Sequence, residues 1–434
     1  MKIRIEKFIS CVVGLAISAT IYSQAPQEQA GTMRLTLKEA QEYALQYNKT
    51  VQNAGLSVSQ AQKKVWETIA MGLPQMNATL DYTNMLGFKM ELFGMSLALE
   101  PTSTLQATVT QLLFSGSYWV GVKMAKIGAD VSETSKLQSE LDIKQQVQTA
   151  YLSILTAEEN RKILEMNLEN IEILAKSTAD MVRIGVAEQT NADQLKVQVG
   201  TIMNAIKSVE RAVEMAYNLM RFYLGTTMET EIILTESLEN LMNRGSAEET
   251  LATPFAINDN FNMQLMEKQI ELANRQIQLE YASTLPTVAL FYNYTYKIKA
   301  STFDMTPQNV VGMQASIPIF ASGQRNSKIQ QAKIGLEKAQ LSREMVSDQM
   351  LMQEKQLRFN LKNAIENLDL QQETLEVSQR VFDSLTRKYN QGTASSLEVT
   401  TANTNLLQAQ SNYISAIMNV INAKTELEKL LNTL

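Results

Sequence analysis

The most regular feature of the chain is a seven-residue apolar repeat that occurs once in each half. It follows Gly185 in the first half and Gly392 in the second, and its steps alternate between four and three positions. The two sets, which differ by 207 positions at every place, are Leu195, Val199, Ile202, Ile206, Val209, Val213, Ala216, Met220, Tyr223 and Ala402, Leu406, Ala409, Tyr413, Ala416, Val420, Ala423, Leu427, Leu430. A sustained heptad predicts helices that supercoil around neighbouring helices. An ordinary helical bundle would show the same pattern.

Two longer segments, 117–184 and 324–388, precede these repeats and are also predicted to be helical. The chain has no proline between Thr102 and Thr253 and none after Pro318. Because proline costs about 3 kcal/mol inside a helix, both spans can hold very long helices. A helix of this length would extend for roughly 100 Å at about 1.5 Å per residue. Such a length exceeds an ordinary domain and suits a structure that crosses a gap.

The order of elements is duplicated. Leu73-Pro74 corresponds to Leu285-Pro286, and the distance from Gly116 to Gly185 equals that from Gly323 to Gly392, at 69 positions. We therefore divide the chain into a first repeat over 34–225, a joining segment over 226–261 and a second repeat over 262–434. The joining segment contains a β-prone stretch, Ile232-Ile233-Leu234.

Each repeat contains a segment in which apolar and polar residues alternate, which predicts β-strands. The first predicted hairpin covers about 74–114, with a loop from about 84 to 101, and the second covers about 286–320. Pro74 and Pro286 stand where each hairpin begins. Such strands are typical of transmembrane barrels, in which about 9–11 residues cross the membrane. A soluble hairpin with one buried face would show the same alternation.

Four strands cannot close a barrel by themselves. Exported barrels need roughly eight strands or more, and an open sheet edge is not stable in lipid. The membrane interpretation therefore requires several chains around one axis. The outward tyrosines would then be candidates for an interfacial aromatic belt, although packing against a loop is the alternative: Tyr82, Tyr292, Tyr294 and Tyr296.

Composition narrows the possible functions. The net charge of −6 argues against binding to nucleic acid, and the mean hydropathy of −0.15 argues against a bundle of transmembrane helices. Histidine is absent, and neither a Gly-x-Ser-x-Gly elbow nor a phosphate-binding glycine loop occurs. Adjacent acids such as Glu158 and Glu159 are interpreted as solvated charges on a helix. We therefore expect no catalytic residues, no metal site and no cofactor.

The N-terminus has the layout of a secretory signal peptide, predicted over 1–24. Three basic residues, Lys2, Arg4 and Lys7, precede an apolar run over 8–22 that is too short to span a membrane as a retained anchor. The single cysteine, Cys11, lies in the middle of that run. A lipid anchor is therefore not expected, and the exported chain would contain no cysteine.

These features resemble the TolC family of outer-membrane efflux proteins. The resemblance covers about 34–434 in two copies, and no single motif in it is highly specific. The residues that carry it are Leu35-Thr36-Leu37-Lys38-Glu39-Ala40, Ala44-Leu45, Asn48, the two Leu-Pro pairs, and Gly392 with Glu398, Val399 and Ala402.

The resemblance implies a mixed α and β membrane protein that is a homotrimer. Four strands from each chain would complete a transmembrane β-barrel in outer-membrane lipid, and a long α-helical barrel would extend into the periplasm. Its tip would dock a periplasmic adaptor and an inner-membrane pump of the resistance-nodulation-division, ABC or a similar class. Substrates would pass without chemistry, in efflux or type I secretion. The main alternative is a periplasmic coiled-coil adaptor or scaffold, which would not need two lipid-facing hairpins.

The resemblance also implies a functional periplasmic tip. Gly185 and Gly392 are expected to end the long helices as left-handed caps, and the turns that they form could also be gripped by an adaptor. Glu398 matches an acidic position of the family's tip, whereas Thr401 departs from the second acidic position. The equivalent places in the first half are held by Asn191 and Gln194, with Glu188 nearby.

Two interpretations of Glu398 stay open. Three copies around a narrow axis would attract cations and repel anions at a gate. Alternatively, the carboxylate is solvated near Arg387 or Lys388 and contributes little. Arg183 and Arg387 are candidates for contacts between helices at the tip.

Overall fold

The computed structural model describes residues 32–92, 95–98, 100–242, 244–300 and 306–434. The predicted signal peptide and Cys11 lie outside these residues. In chain order the elements are β1 (Met33–Leu35), α1 (Leu37–Tyr47), α2 (Lys49–Ala70), β2 (Gln75–Thr83), β3 (Lys89–Leu92), β4 (Met95–Ala98), β5 (Thr102–Ser115), α3 (Gly116–Arg183), α4 (Gln189–Leu224), β6 (Ile232–Leu234), α5 (Leu238–Leu241), α6 (Arg244–Ala252), a 3-10 turn (Ile257–Asp259), α7 (Phe261–Ala282), β7 (Thr287–Lys299), β8 (Asn309–Ser316), α8 (Gln324–Asn390) and α9 (Ser396–Leu431).

The long helices form where the sequence predicts them. α3 contains 68 residues and α8 contains 67, and their bounds agree with the predicted segments to within two residues. Each is followed by a helix of 36 residues, α4 or α9, which carries the heptad repeat. Absence of proline permits these lengths, and a glycine with positive φ follows the end of each long helix.

The helices form two tiers along α3 and α8. In the first tier α4 packs on α3, and α9 lies between α3 and α8. In the second tier α2 packs on α3, and α7 lies between α3 and α8. The lateral order is therefore α4-α3-α9-α8 in one tier and α2-α3-α7-α8 in the other. Apolar side chains that face sideways between neighbouring helices supply the packing energy.

The four strands near the end of the second tier form one antiparallel sheet in the order β2-β5-β7-β8. Its register brings like residues together. One row across the sheet is Met76, Val109, Tyr292 and Val311, whereas the adjacent row on the opposite face begins with Asn77, Thr108 and Asn293. One face of the sheet is thus apolar and the other is mostly polar. Within the described residues, β2 and β8 each have one edge without a partner strand.

The connection between β2 and β5 contains more structure than the predicted loop over 84–101. The chain turns at Leu86 and Gly87, which both have positive φ, and the Phe88 N–H donates to the Met85 carbonyl at 3.0 Å. The short strands β3 and β4 then pair with each other. The turn at Leu86 and Gly87 lies between β2 and β3, which do not pair with each other, and the β3–β4 pair follows it as a separate two-stranded sheet.

The joining segment packs against the middle of the helices. Its predicted β-prone stretch is strand β6, which pairs in parallel with β1. Arg358 on α8 donates to the carbonyl of Thr253 at 2.6 Å and also to the carbonyl of Leu251. Arg244 donates to both carboxylate oxygens of Asp369 on α8, at 2.7 and 3.0 Å. These bonds hold the segment to α8, which is the last helix in the lateral order. We call the layer of helices formed by the two tiers the wall.

Candidate functional site

The two long helices end in the same way at the tip. Gly185 has φ 77°, and its N–H donates to the Val182 carbonyl, while the Val186 N–H donates to the Met181 carbonyl. Gly392 has φ 74° and is followed by the equivalent pair of bonds, to Tyr389 and Lys388. These bonds satisfy the last carbonyls of each helix, and the positive φ favours glycine. Both glycines therefore adopt the left-handed cap conformation that we expected.

The helices that follow the two turns begin differently. The Ser395 hydroxyl accepts from the Glu398 N–H, and the Glu398 carboxylate accepts from the Ser395 N–H at 2.7 Å, which is a capping box. These bonds with Ser395, and then the charge of Lys388, lower the pKa of Glu398. At the start of α4, Glu188 makes no side-chain cap bond to the helix and instead accepts from Thr190 at 3.2 Å.

The carboxylate of Glu398 therefore has a local partner that the sequence interpretations omitted. Of its two suggested basic neighbours, only Lys388 contributes to the lowering of its pKa. Thr401 is exposed and donates back to the Leu397 carbonyl at 2.8 Å. In the first half, Asn191 is half-buried and Gln194 is exposed.

The two arginines at the tip contact no other helix through a polar bond among the described residues. Arg183 pairs with Asp180 of its own helix at 2.9 Å, and both side chains are exposed. Arg387 is exposed as well. Their suggested role in contacts between helices therefore stays a proposal.

A buried pair that the sequence did not indicate links the two long helices near the tip. The hydroxyl oxygens of Thr178 on α3 and Tyr389 on α8 are 2.7 Å apart. They lie beside a small apolar cluster that includes Ile171, Leu195 and Val399. The available signal was Tyr389 itself, three residues before Gly392, where the first repeat has valine. The cluster brings both tip turns together in one chain.

The sheet exposes its apolar face. Met76, Tyr82, Tyr296 and Val311 lie on this face and are exposed in a single chain. Pro74 and Pro286 each stand one residue before a strand, β2 and β7, where a missing N–H removes no ladder bond.

The three tyrosines of β7 lie in line along one strand. They occupy successive positions on the apolar face, so neighbours are about 6.7 Å apart along the strand. Tyr292 lies level with Met76 near the start of β2, whereas Tyr296 lies level with Leu80 nearer its end. Tyr292 donates its hydroxyl to Asn309 at 2.7 Å. The tyrosines thus form a column along the strand, because every second side chain lies on the same face.

Glu158 is more than a solvated charge. Its carboxylate accepts from the Tyr217 hydroxyl at 2.7 Å, across the contact between α3 and α4. Burial, followed by the bond to this carboxylate, raises the pKa of Tyr217. Over the described ranges no cluster of acids suits a metal ion. None of the described helices is both long and apolar enough to cross a membrane.

Comparison with protein families agrees with the fold and with the doubled order of elements. The profile of the outer membrane efflux protein family matches residues 40–226 and 255–433. The chain belongs to this family. Its members are transport channels of the outer membrane that reach into the periplasm. These homologues are channel proteins and not enzymes.

Individual relatives are distant in sequence and close in fold. The chain is 22% identical to outer membrane protein TolC of Salmonella enteritidis over 354 residues, and 20% identical to that of Escherichia coli over 341. These matches cover 76% of this chain and 66% of the relatives' length. The crystal structure of CusC aligns over 95% of each chain with a TM-score of 0.76 at 16% identity. VceC of Vibrio cholerae aligns over 91% of this chain and 95% of its own, with a TM-score of 0.72 at 15% identity.

Proposed function

We propose that three copies of this chain form a channel of the outer membrane that serves as a passive exit duct. In this proposal the duct completes a tripartite efflux or type I secretion system. A periplasmic adaptor and an inner-membrane pump would deliver substrates to the tip of the helical barrel. The observation that carries the proposal is a four-stranded sheet with one apolar face, one polar face and two free edges, joined to helices about 100 Å long.

The faces and edges of the sheet support closure by several copies. An apolar outer face suits lipid, and a polar inner face suits a water-filled lumen. Unpaired backbone groups at β2 and β8 would be very unfavourable in hydrocarbon, so a neighbouring copy must pair with them. Four strands from each of three copies give twelve, which is enough to enclose a channel.

The edges of the helical wall support the same arrangement. α8 is at one edge of the wall and has two apolar stripes on opposite sides. One stripe packs on α9, and the other is exposed in a single chain and consists of Ile334, Leu341, Met345, Met352, Phe359, Leu370, Val377 and Val381. α4, at the other edge, exposes Met215, Leu219 and Phe222. Cyclic association would bring these two edges together and bury both.

At the tip, three copies of Glu398 would supply an acidic ring, while Gly185 and Gly392 would present the turns to an adaptor. Arg183 and Arg387, which have no polar partner on another described helix, would be available for contacts between copies. The second acidic position that the resemblance implies is held by Thr401, and the equivalent places of the first repeat are held by the neutral Asn191 and Gln194. A weaker preference for cations than a double ring would give is therefore part of the proposal.

The first experiment is to separate the membranes of the expressing cell, extract the chain with mild detergent and measure the particle mass. We expect the outer-membrane fraction and a particle of three chains. A soluble periplasmic monomer or dimer would overturn the proposal and leave a coiled-coil adaptor or scaffold as the better interpretation. Planar-bilayer conductance of the trimer then tests whether the particle is a channel.

A further inference from the structure

One asparagine lies between two helix ends at the boundary of the two tiers. Asn48 is only 3% exposed and precedes α2, close to where α4 ends. Its Oδ1 accepts from the N–H groups of Thr50 and Val51, at 2.7 and 3.4 Å. Its Nδ2 donates to the carbonyl of Tyr223, in the last turn of α4, at 2.7 Å. A single side chain thus bonds the start of one helix and the end of another.

The second half of the chain contains the same arrangement. Asn260 is 5% exposed and precedes α7, close to where α9 ends. Its Oδ1 accepts from the Asn262 N–H at 2.9 Å, and its Nδ2 donates to the Leu430 carbonyl at 2.8 Å. Leu430 stands 207 positions after Tyr223, the offset of the heptad repeat. We call these two sites the helix joints.

The helix ends at both joints are closed by a residue with left-handed backbone. Gly225 has φ 77° at the first joint, and Asn432 has φ 57° at the second. A Cβ at Gly225 would lie 2.4 Å from the Tyr47 carbonyl oxygen, which excludes a side chain there. At the second joint Asn432 donates instead to the corresponding carbonyl, that of Asp259, at 2.7 Å. At both joints the residue that closes the helix therefore lies against the carbonyl of the residue before the asparagine, through a close backbone approach at Gly225 and through a side-chain hydrogen bond at Asn432.

Asparagine suits this position because of its amide. The first N–H groups and the last carbonyls of a helix lack partners within the helix, and burial without partners is costly. The amide oxygen can satisfy the former while the amide NH₂ satisfies the latter. Aspartate could accept but not donate, and its charge would stand at the negative end of a helix dipole.

We infer that Asn48 and Asn260 are positioning residues, each of which joins the end of one helix to the start of the next, so that the two helices stack end to end at each joint. An ordinary N-cap would be the simpler interpretation, and it makes a different prediction. Aspartate and asparagine are about equally good at an ordinary N-cap. Aspartate at a joint between two helices leaves the buried carbonyl of the preceding helix, that of Tyr223 at the first joint, without a donor. The substitution to aspartate therefore distinguishes the two roles.

The test is thermal unfolding of the full chain in detergent at pH 7.5 and pH 4.5. At pH 7.5 we expect Asn48→Asp to lower the melting temperature by several degrees, much as Asn48→Ala does. The matched control is Ser115→Asp at the start of α3. Ser115 accepts from the Tyr118 N–H and donates to no described group. Aspartate at this position is therefore expected to leave the melting temperature unchanged at both pH values.

The pH dependence of the stability of Asn48→Asp distinguishes hydrogen bonding from a space-filling role, since a role in filling space would not depend on pH. At position 48 burial and the facing Tyr223 carbonyl favour the protonated form of an aspartate, whereas the N–H groups of Thr50 and Val51 favour the charged form. Where the contact with Tyr223 dominates, the folded-state pKa lies above the unfolded value, and stability is lost as pH rises through that pKa. At pH 4.5 the protonated acid can donate, and the deficit of Asn48→Asp relative to wild type should shrink, while that of Asn48→Ala stays.

Two results would overturn the inference: an Asn48→Asp variant as stable as wild type at pH 7.5, or a deficit that does not depend on pH. If Asn48→Asp yields no folded chain, Asn260→Asp gives the same test at the second joint. Because the readout is unfolding, the result is independent of whether the chain conducts.

Discussion

α4 and α9 have the same length and the same place in their halves of the chain, yet they are buried very differently. Of 36 residues in each, four are buried in α4 and fourteen in α9. α4 buries only the stripe that faces α3, whereas α9 is packed on two sides, by α3 and α8. The difference distinguishes a helix at the edge of the wall from a helix in its middle.

The sequence contains the reason for this difference. Away from the shared heptad, α9 carries Ile414, Ile417 and Ile421, which are all buried. The positions 207 residues earlier, on α4, are Lys207, Glu210 and Glu214. The same duplicated framework thus yields an inner helix with isoleucine at these sites and an edge helix with charged residues. The second apolar face of a helix, rather than its heptad, indicates how many neighbours it has.

The largest effect is expected from a matched pair of truncations. Ile417→Ala should lower the free energy of unfolding by about 2–5 kcal/mol, because it removes a fully buried side chain and leaves a cavity. Glu210→Ala, at the corresponding exposed site of α4, should change it by less than about 0.5 kcal/mol. Denaturant unfolding of both variants measures the difference. Equal effects would contradict the assignment of α4 to an edge.

An intermediate effect is expected at the exposed stripe of α8. Phe359 is 59% exposed in a single chain. If a neighbouring copy covers it, Phe359→Ala should weaken each contact between copies by about 1–2 kcal/mol without destabilising the single chain. Asn360→Ala, about a quarter turn around the helix, is the control. The fraction of trimer after dilution in detergent gives the comparison, and unchanged association of the Phe359 variant would place the interface elsewhere.

The smallest effect concerns the start of α9, which has a capping box that α4 lacks. The pKa of Glu398 is lowered by its bonds with Ser395, so its contribution is complete at neutral pH and is lost as pH falls from about 4.5 through the lowered pKa. Protection from hydrogen exchange in the first turn of α9, relative to the intrinsic exchange rate at each pH, should therefore fall below about pH 4.5, and that of α4 should not.

Glu398→Gln separates the cap of this helix from its charge. Glutamine can complete a capping box, so the first turn of α9 should stay protected in this variant and be less protected in Glu398→Ala, which keeps only the bond to the Ser395 hydroxyl. Bilayer conductance and ion selectivity then report on the charge alone. An unchanged conductance in Glu398→Gln would remove the acidic ring from the proposal and leave the capping role intact.

The sequence predicts those features that depend on local patterns. The ends of α3 and α8 follow from Gly185, Gly392 and the absence of proline, and the strands follow from alternation. The Thr178–Tyr389 pair, the exposed stripe of α8 and the bond from Asn48 to Tyr223 were missed. Each of these depends on which helices become neighbours, and residues such as Asn48 and Tyr223 are far apart in the chain. Local periodicity does not contain that information.

A wall that is one helix thick also affects how such a protein can diverge. Its main packing contacts run sideways, from α4 through α3 and α9 to α8, so the broad surfaces carry few packing constraints where α1 and the joining segment do not cover them. Mutations on those surfaces can accumulate with little loss of stability, since exposed substitutions usually change it by less than about 0.5 kcal/mol. The fold can therefore be kept at 13–16% sequence identity, as its structural relatives show. Lineages that share this scaffold can alter the lining of the duct without rebuilding the wall.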